Sequence, residues 1–462
     1  MINPNPILFK KQKMQQPKAI HSQRCWVDGH LQEATIYFEA GIITNIIPGP
    51  LSGSDNNVTD FGSAVIMPGA IDAHVHINEP GRTDWEGFET ATTAAATGGV
   101  TTMVDMPLNS SPVTTNVAAF QQKLAAAKDK LQVNCGFYGG LIPGNVGELQ
   151  GLIQQGVLGI KAFLVHSGID EFPNVGKKEL EAAMPIIAKY KIPILAHCEM
   201  INGVPEKAPD KSSPGSYQQY LASRPKKWEN DAVKLMIELC ERYDCPTHIV
   251  HVSSAEALAD IAKAKAKGLP LTAETCPHYI YFQAETIPDN NTLFKCAPPI
   301  RGQKNNQQLK DALISGVLDF IATDHSPAPP ALKELVSGDL IKAWGGISGL
   351  QYLVSAAWTS LQNDLPLEKF IPLLTENPAK YLHINHEKGY LKRDFHADFT
   401  VWSPEESFFV AKAENQHRHQ ISPYIGERLS GKIIATYVNG IAVFDQKIIN
   451  KNIGKCIIKK RE

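Results

Sequence analysis

Residues 65–76 read VIMPGAIDAHVH, a short apolar run that ends in two histidines. Runs of this kind recur along the chain and make eight in total, the others lying at 100–106, 133–141, 158–164, 192–198, 247–252, 269–276 and 318–325. Several stretches between them have helical composition and spacing, at 117–131, 178–190, 230–243 and 255–267. Because strands that alternate with helices pair in parallel, this order predicts an α/β fold, a (β/α)8 TIM-type barrel.

The two ends of the chain depart from this pattern. Residues 25–48, 397–402 and 432–444 contain short strand-like pieces with turn signals such as Asp28-Gly29. Terminal strands need partners, so we expect a small β-sandwich domain built from both chain termini. The predicted boundaries are 1–18 for a flexible N-terminal tail, 19–66 plus 385–455 for the sandwich and 67–384 for the barrel, and the basic end 459–461 is expected to be a solvated tail.

Composition excludes several classes of protein. Of 462 residues, 43% are hydrophobic and 20% charged, with 45 Lys and Arg against 47 Asp and Glu. These values argue against disorder and against a basic surface for nucleic acid. No apolar run approaches the roughly 20 residues of a membrane span, and the polar N-terminus lacks a signal-peptide core, so we expect a cytoplasmic protein without membrane or nucleic-acid partners. The eight cysteines lack a C-x-x-C pair, which predicts reduced, mostly buried thiols.

Several of the predicted strands end in histidine or aspartate side chains. His74 and His76 end the first run, where positions i and i+2 point the same way. His197 ends the fifth run, His251 the sixth, and Asp324 the eighth, followed by His325. In a barrel of this type the active site lies at the carboxyl ends of the strands. We therefore expect these side chains to converge on one mouth, where they can bind metal.

Lys161, at the end of the fourth run, has two interpretations. An unpaired ammonium buried among histidines and metal is costly. Desolvation lowers the pKa of lysine, and the neutral amine can add carbon dioxide to become a carbamate, an anionic ligand able to bridge two cations. The alternative is an outward-pointing lysine paired with a carboxylate.

Five stretches carry a resemblance to a known family. They are 69–88 (GAIDAHVHINEPGRTDWEGF), 104–109 (VDMPLN), 295–301 (KCAPPIR), 323–327 (TDHSP) and 343–351 (AWGGISGLQ). Together with the lysine and histidines above, they resemble the cyclic-amidase branch of the amidohydrolase superfamily, within it the allantoinases. The resemblance implies a barrel with a flanking β-sandwich and a binuclear centre, usually of two Zn²⁺ ions, bound by His74, His76, carboxylated Lys161, His197, His251 and Asp324.

The resemblance also implies an activity. We expect hydrolysis of the cyclic amide of allantoin to allantoate by a hydroxide held between the two metals, with Asp324 as the catalytic proton carrier. The predicted substrate contacts are Asn78, Asn109, Ser167, the backbone at Ala297, Gly345 and Gly346. The alternative for the last two is a tight turn, and for Asn109 a loop cap. A homo-oligomer, by resemblance a homotetramer, is expected.

Three classes of function compete. All six ligand positions are filled, which favours an enzyme over a non-catalytic scaffold homologue. Dihydroorotases that resemble this chain carry an arginine and a histidine where Asn78 and Ala328 stand, so a substrate carboxylate lacks a charged partner here. Arg82, Arg224 or Arg301 could replace that arginine from a loop, and a hydantoinase is a further alternative. For His166, His248, His278 and His325 we expect structural or supporting roles, and no catalytic role for the cysteines.

Overall fold

A computed structural model of the chain describes residues 18–51, 57–202 and 212–461. The tail predicted at 1–18 lies outside them, except for Lys18, which begins the first strand. The strands are β1 (Lys18–Val27), β2 (His30–Glu39), β3 (Ile42–Pro48), β4 (Val58–Asp60), β5 (Val65–Pro68), β6 (Ala70–Val75), β7 (Val100–Asp105), β8 (Asn134–Phe137), β9 (Gly139–Gly140), β10 (Ile160–Phe163), β11 (Ile194–His197), β12 (Thr247–Ile249), β13 (Leu271–Thr275), β14 (Phe320–Ile321), β15 (Phe399–Phe409), β16 (Arg428–Val438) and β17 (Ile441–Asp445).

The helices lie mostly between the strands of the central part of the chain. They are α1 (Phe88–Thr97), α2 (Val117–Ala127), α3 (Leu149–Gln155), α4 (Lys177–Lys189), α5 (Tyr217–Ser223), α6 (Lys226–Tyr243), α7 (Leu258–Ala266), α8 (Pro277–Tyr281), α9 (Gln303–Ile314), α10 (Leu353–Leu361), α11 (Leu367–Phe370) and α12 (Glu376–Tyr381). In α4 the buried side chains are Leu180, Ala183, Met184 and Ile187, the spacing of one helix face packed on a core. No helix in the described ranges is both long and apolar enough to cross a membrane.

One sheet combines strands from both ends of the chain, as the sequence predicts. Its order is β17-β16-β15-β5-β1-β2-β3, with β4 paired to β1. Strand β5 sits between the two ends, because it pairs antiparallel with β15 and parallel with β1. The aromatic rings of Phe38 and Phe399 meet in its core at 5.3 Å between centroids. The N-terminal and C-terminal segments therefore depend on each other for their hydrogen bonds.

The remaining strands are parallel and follow chain order. One sheet has the order β6-β7-β8 and the other β14-β13-β12-β11-β10-β9. Only Tyr138 separates β8 from β9, so the predicted run 133–141 is interrupted once. Beyond β14, His325 forms a parallel bridge with Val75 of β6, and the main-chain N–H of His76 donates to its carbonyl at 2.7 Å. The carboxyl ends of β6 and of the last parallel strand are thus neighbours.

Gly69 explains why the first predicted run divides into two strands. A Cβ atom at this position would lie 2.0 Å from Oγ1 of Thr101, so only glycine permits the close approach of the two segments. The Gly69 N–H donates to the Asp398 carbonyl in the terminal sheet, whereas β6 pairs with β7 in the parallel sheet. The chain passes from one sheet to the other at this residue.

The prediction of a solvated basic tail is wrong. Cys456 forms an isolated parallel β-bridge with Cys135 of β8 through main-chain hydrogen bonds. The Lys459 N–H donates to the Gly156 carbonyl. The Lys459 ammonium donates to the His383 carbonyl, and the Arg461 guanidinium donates to the Val157 carbonyl at 2.9 Å. The tail is held against the protein because these carbonyls offer acceptors for its cations, a tertiary contact that local composition does not reveal.

Candidate metal and catalytic site

A cavity of about 350 Å³ opens where the parallel strands end. All six side chains predicted as metal ligands line it: His74, His76, Lys161, His197, His251 and Asp324. A larger cavity of about 920 Å³ lies beside Pro193, Pro246 and Pro270, which precede β11, β12 and β13, and none of the six lines it. The convergence therefore occurs at the carboxyl ends of the strands, where sites on this architecture are built.

His74, His76 and Asp324 form one group of potential ligands. Their ligand atoms all lie within 4.8 Å of one another, and all three residues are buried. The Oδ1 atom of Asp324 is 3.2 Å from Nε2 of His74 and 3.4 Å from Nε2 of His76. Asp324 has a φ of 47°, a left-handed conformation that is uncommon outside glycine but that Asp adopts more readily than most residues. Two imidazole nitrogens and a carboxylate oxygen form a donor set suited to a divalent cation.

His197 and His251 form a second group beside the first. Nδ1 of His197 lies 3.0 Å from Nε2 of His251, and the rings of His74 and His251 are 5.5 Å apart between centroids. Burial lowers the pKa of His74, His197 and His251, so their imidazoles are neutral near pH 7. Neutral imidazole is the form that binds metal.

Lys161 is buried, and its ammonium has no hydrogen-bond partner in the described part of the chain. Burial lowers its pKa to about 8, and the charges of Asp324 and Glu274 oppose this effect. Nζ of Lys161 lies 5.0 Å from the centroid of the Phe163 ring. The alternative of an outward-pointing lysine paired with a carboxylate is therefore wrong, because Lys161 lines the cavity and is almost wholly excluded from solvent.

Two buried carboxylates that were not predicted from the sequence, Glu274 and Glu199, orient the histidines. Glu274 of β13 lies 2.6 Å from Nδ1 of His74 and 3.1 Å from Nε2 of His248. Glu199 lies 2.9 Å from Nε2 of His197. Such partners fix the tautomer, so that Nε2 of His74 and Nδ1 of His197 face the cavity. The signal for Glu199 was its i+2 spacing from His197, and for Glu274 an acid within an apolar strand.

Comparisons with known proteins are consistent with this geometry. The model of the amidohydrolase family matches residues 65–443. The chain belongs to the amidohydrolase family. Its relatives include an allantoinase of Arabidopsis thaliana, 40% identical over 92% of this chain and 88% of that protein, and an allantoinase of Saccharomyces cerevisiae, 37% identical over 92% of this chain and 95% of that one. The solved L-hydantoinase (dihydropyrimidinase) from Arthrobacter aurescens superposes with a TM-score of 0.87 at 26% identity, covering 95% of this chain and 99% of that one.

Four of the six predicted substrate contacts line the cavity of this amidohydrolase: Asn109, Ser167, Ala297 and Gly345. The amide nitrogen of Asn109 lies 3.4 Å from Nδ1 of His76, so this residue also contacts a predicted ligand. The Ser167 hydroxyl donates to the Phe172 carbonyl at 2.7 Å, which explains its position in the loop after β10.

Asn78 and Gly346 do not line the cavity of the amidohydrolase. Asn78 is fully buried, and its amide donates to the Pro327 carbonyl at 3.3 Å. Gly346 packs on Ser326, whose carbonyl oxygen would lie 2.1 Å from a Cβ atom. Gly346 therefore matches the alternative of a tight structural position, because a side chain cannot be accommodated there.

Of the three candidate arginines, only Arg224 lines the cavity of the amidohydrolase. Its guanidinium donates to both carboxylate oxygens of Glu199, from Nε at 3.0 Å and from Nη2 at 2.5 Å. Burial would raise the pKa of Glu199, but Arg224 and His197 hold it well below its usual value. Arg82 pairs instead with Glu171, and Arg301 with Glu229.

Proposed function

We propose that this amidohydrolase opens the cyclic amide of allantoin and releases allantoate. The observation that carries the proposal is the convergence of six predicted ligands on one cavity in a chain whose relatives include allantoinases. The donor set fits divalent cations, because Nε2 of His74, Nδ1 of His251 and Nζ of Lys161 are buried without a hydrogen-bond partner in the described ranges. Buried polar atoms left without partners are costly unless a ligand satisfies them.

In this proposal the six residues hold a binuclear centre, with Zn²⁺ as the expected metal. His74 and His76 would hold one cation and His197 and His251 the other, and Lys161, as a carbamate, would supply an anionic oxygen ligand to the centre. When bound, two divalent cations lower the pKa of water and polarise a carbonyl oxygen. Asp324 accepts the proton of the attacking water molecule, and it donates a proton to the ring nitrogen as the C–N bond breaks. The new C–O bond leaves a carboxylate on the opened chain.

Apart from Lys161, the lysine and arginine side chains that line the cavity already have protein acceptors. Arg224 is neutralised by Glu199, and the Lys295 ammonium donates to the carbonyls of Ile341 at 3.1 Å and Ala343 at 2.5 Å. The exposed Lys342 lies 3.2 Å from Asp339. A substrate carboxylate would compete with these acceptors, and breaking a buried pair such as Arg224–Glu199 costs several kcal/mol. A neutral ureido group requires only hydrogen bonds, which favours allantoin over dihydroorotate.

The proposal extends to the architecture. We propose that the two parallel sheets close into one (β/α)8 barrel at 67–384, and that 19–66 and 385–455 form a β-sandwich beside it. The bridge between His325 and Val75 supports the closure. A homotetramer, a cytoplasmic location and the absence of nucleic-acid and membrane partners remain predictions from the sequence.

A direct substrate comparison tests the activity. We expect kcat/KM for allantoin to exceed the values for dihydroorotate and for a simple hydantoin at one pH and one metal loading. A larger kcat/KM for either competitor would identify that compound, and not allantoin, as the preferred substrate. The reaction would still be the hydrolysis of a cyclic amide. The hydantoin is included because the solved L-hydantoinase has the same fold. Inactivity on all three at full metal loading would favour the non-catalytic alternative.

A further inference from the structure

Lys333 is a buried lysine outside the set of proposed metal ligands. It is 3% exposed, and no carboxylate of the described residues is among the charges that act on it. Its ammonium donates instead to three main-chain carbonyls, those of Gly346 at 2.8 Å, Trp344 at 3.0 Å and Lys295 at 3.5 Å. A buried ammonium without a counter-charge is costly, so its retention at this place calls for a role.

The three carbonyls belong to two loops that form one wall of the catalytic cavity. Lys295 and Ala297 line the cavity from the loop after α8, and Ala343, Trp344 and Gly345 line it from the loop after β14. The two loops also share a main-chain hydrogen bond, in which the Gly346 N–H donates to the Lys295 carbonyl at 2.8 Å. Lys333 therefore bridges two segments that are distant in the chain and adjacent in the wall.

This arrangement leaves main-chain donors available in the wall. The N–H groups of Ala297 and Gly345 have no protein acceptor among the described residues. A Cβ atom on Gly345 would lie 3.9 Å from the nitrogen of Ala297, so the two residues are neighbours. With the carbonyls of Lys295, Trp344 and Gly346 directed to the ammonium, the loops can present N–H groups to a carbonyl oxygen of the substrate.

We propose that Lys333 is a positioning residue for substrate binding, which holds the loops 295–297 and 343–346 together so that their main-chain N–H groups receive a carbonyl of the neutral substrate. Lys333 does not line the cavity, so it acts through the wall and not by contact with substrate. None of the three residues whose carbonyls accept from Lys333 is a proposed metal ligand. The substitution should therefore affect substrate affinity and leave metal binding intact.

The test compares Lys333→Met with the wild-type enzyme at equal metal loading. Methionine fills the space but donates no hydrogen bond. We expect the KM for allantoin to rise at least tenfold, kcat to fall no more than about threefold, and metal content per chain to stay unchanged. Hydrogen exchange of the segments 295–297 and 343–346 should accelerate. The matched control is Lys178→Met, an exposed lysine of α4, which should leave all these quantities unchanged.

A second variant keeps the proposal falsifiable if the methionine variant does not fold. Lys333→Gln retains two N–H donors without the charge. If both variants fold, its KM should lie between those of the wild type and Lys333→Met. If only the glutamine variant folds, its KM should be higher than that of the wild type. A KM within twofold of wild type with unchanged exchange in the loops would overturn the proposal. A fall in kcat or in metal content per chain with an unchanged KM would also overturn the proposal.

The role of Lys333 rests on the proposed function for its substrate, allantoin, but each of the two proposals can be contradicted without the other. If the wild-type enzyme opens a hydantoin and not allantoin, the proposed function is wrong. The same comparison of KM values is then made with the hydantoin, and it decides the role of Lys333 independently.

Discussion

Nε2 of His197 lies 2.9 Å from Oε2 of Glu199, and this contact determines which nitrogen of the imidazole carries the proton. The opposite nitrogen, Nδ1, consequently faces His251 in the cavity. Arg224 holds the same carboxylate from the other side, so the orientation of a proposed ligand depends on a residue that also lines the cavity wall.

Replacing Glu199 should weaken metal binding. Glu199→Gln removes the negative charge that stabilises the tautomer of His197 and leaves Arg224 without its counter-charge. Outer partners of this kind typically contribute about 10- to 100-fold in metal affinity. Elemental analysis after dialysis against a series of chelator concentrations measures the effect. The control is Glu171→Gln, which breaks an exposed ion pair with Arg82 and should retain wild-type metal content.

Replacing Asp324 should separate metal binding from turnover. In Asp324→Asn the amide oxygen can still coordinate a cation, but it cannot accept the proton of the attacking water. We expect most of the metal to remain and kcat to fall by about 10²- to 10⁴-fold, the range for loss of a general acid or base. Steady-state kinetics with parallel elemental analysis provides the measurement. Turnover close to that of the wild type would exclude the proton-carrying role.

Replacing Lys161 should remove both metal and activity. Lys161→Ala deletes the residue whose carbamate is proposed to join the two cations, so metal content and turnover should fall together. Intact-protein mass spectrometry under non-denaturing conditions detects the carbon dioxide adduct in the wild type. Unmodified Lys161 in a fully active preparation would contradict the carbamate. Lys189→Ala, on the outer end of α4, is the matched control and should keep both metal and activity.

Lys333 should make the stability of the protein depend on pH. Burial is the largest cause that lowers its pKa from 10.5 to about 7. The charge of Cys296 acts in the opposite direction, and the charge of Lys295 acts in the same direction as burial. Between about pH 7 and pH 10.5 the unfolded chain therefore binds more protons at this residue than the folded chain does. Its contribution to the free energy of unfolding rises with pH across this window.

Urea denaturation of the wild type and of Lys333→Met from pH 7 to pH 10 checks that dependence, because other titrating groups cancel in the difference. We expect the wild type to gain stability relative to the variant as the pH rises. A difference that is constant with pH would show that Lys333 keeps the same protonation in the folded and unfolded chain.

Much of the site could be predicted because its signals are local. Apolar runs and the alternation of side chains along a strand place His74 and His76 together, and the order of strands places His197, His251 and Asp324 at the same end. No long-range contact needs to be known for this. The geometry of the cavity agrees with that prediction for all six proposed ligands.

The residues that were missed act through contacts between distant segments. Glu274 reaches His74 across 200 positions in the chain, and Lys333 meets carbonyls from two separate loops. Asn78, in contrast, was predicted to contact substrate but does not line the cavity. Its φ of 68° and the hydrogen bond from its amide to the Pro327 carbonyl keep its side chain out of the cavity. Loop conformation, which is set by tertiary packing, decides these cases.

The position of β5 between β1 and β15 has a consequence for biosynthesis. A ribosome completes β1 to β3 and the entire central region before it reaches residues 399–409, the partner of β5. Throughout that interval one hydrogen-bonding edge of β5 is unsatisfied on the nascent chain, and an open strand edge invites pairing with other chains. The topology therefore leaves this edge open to pairing with other chains until residues 399–409 have been synthesised.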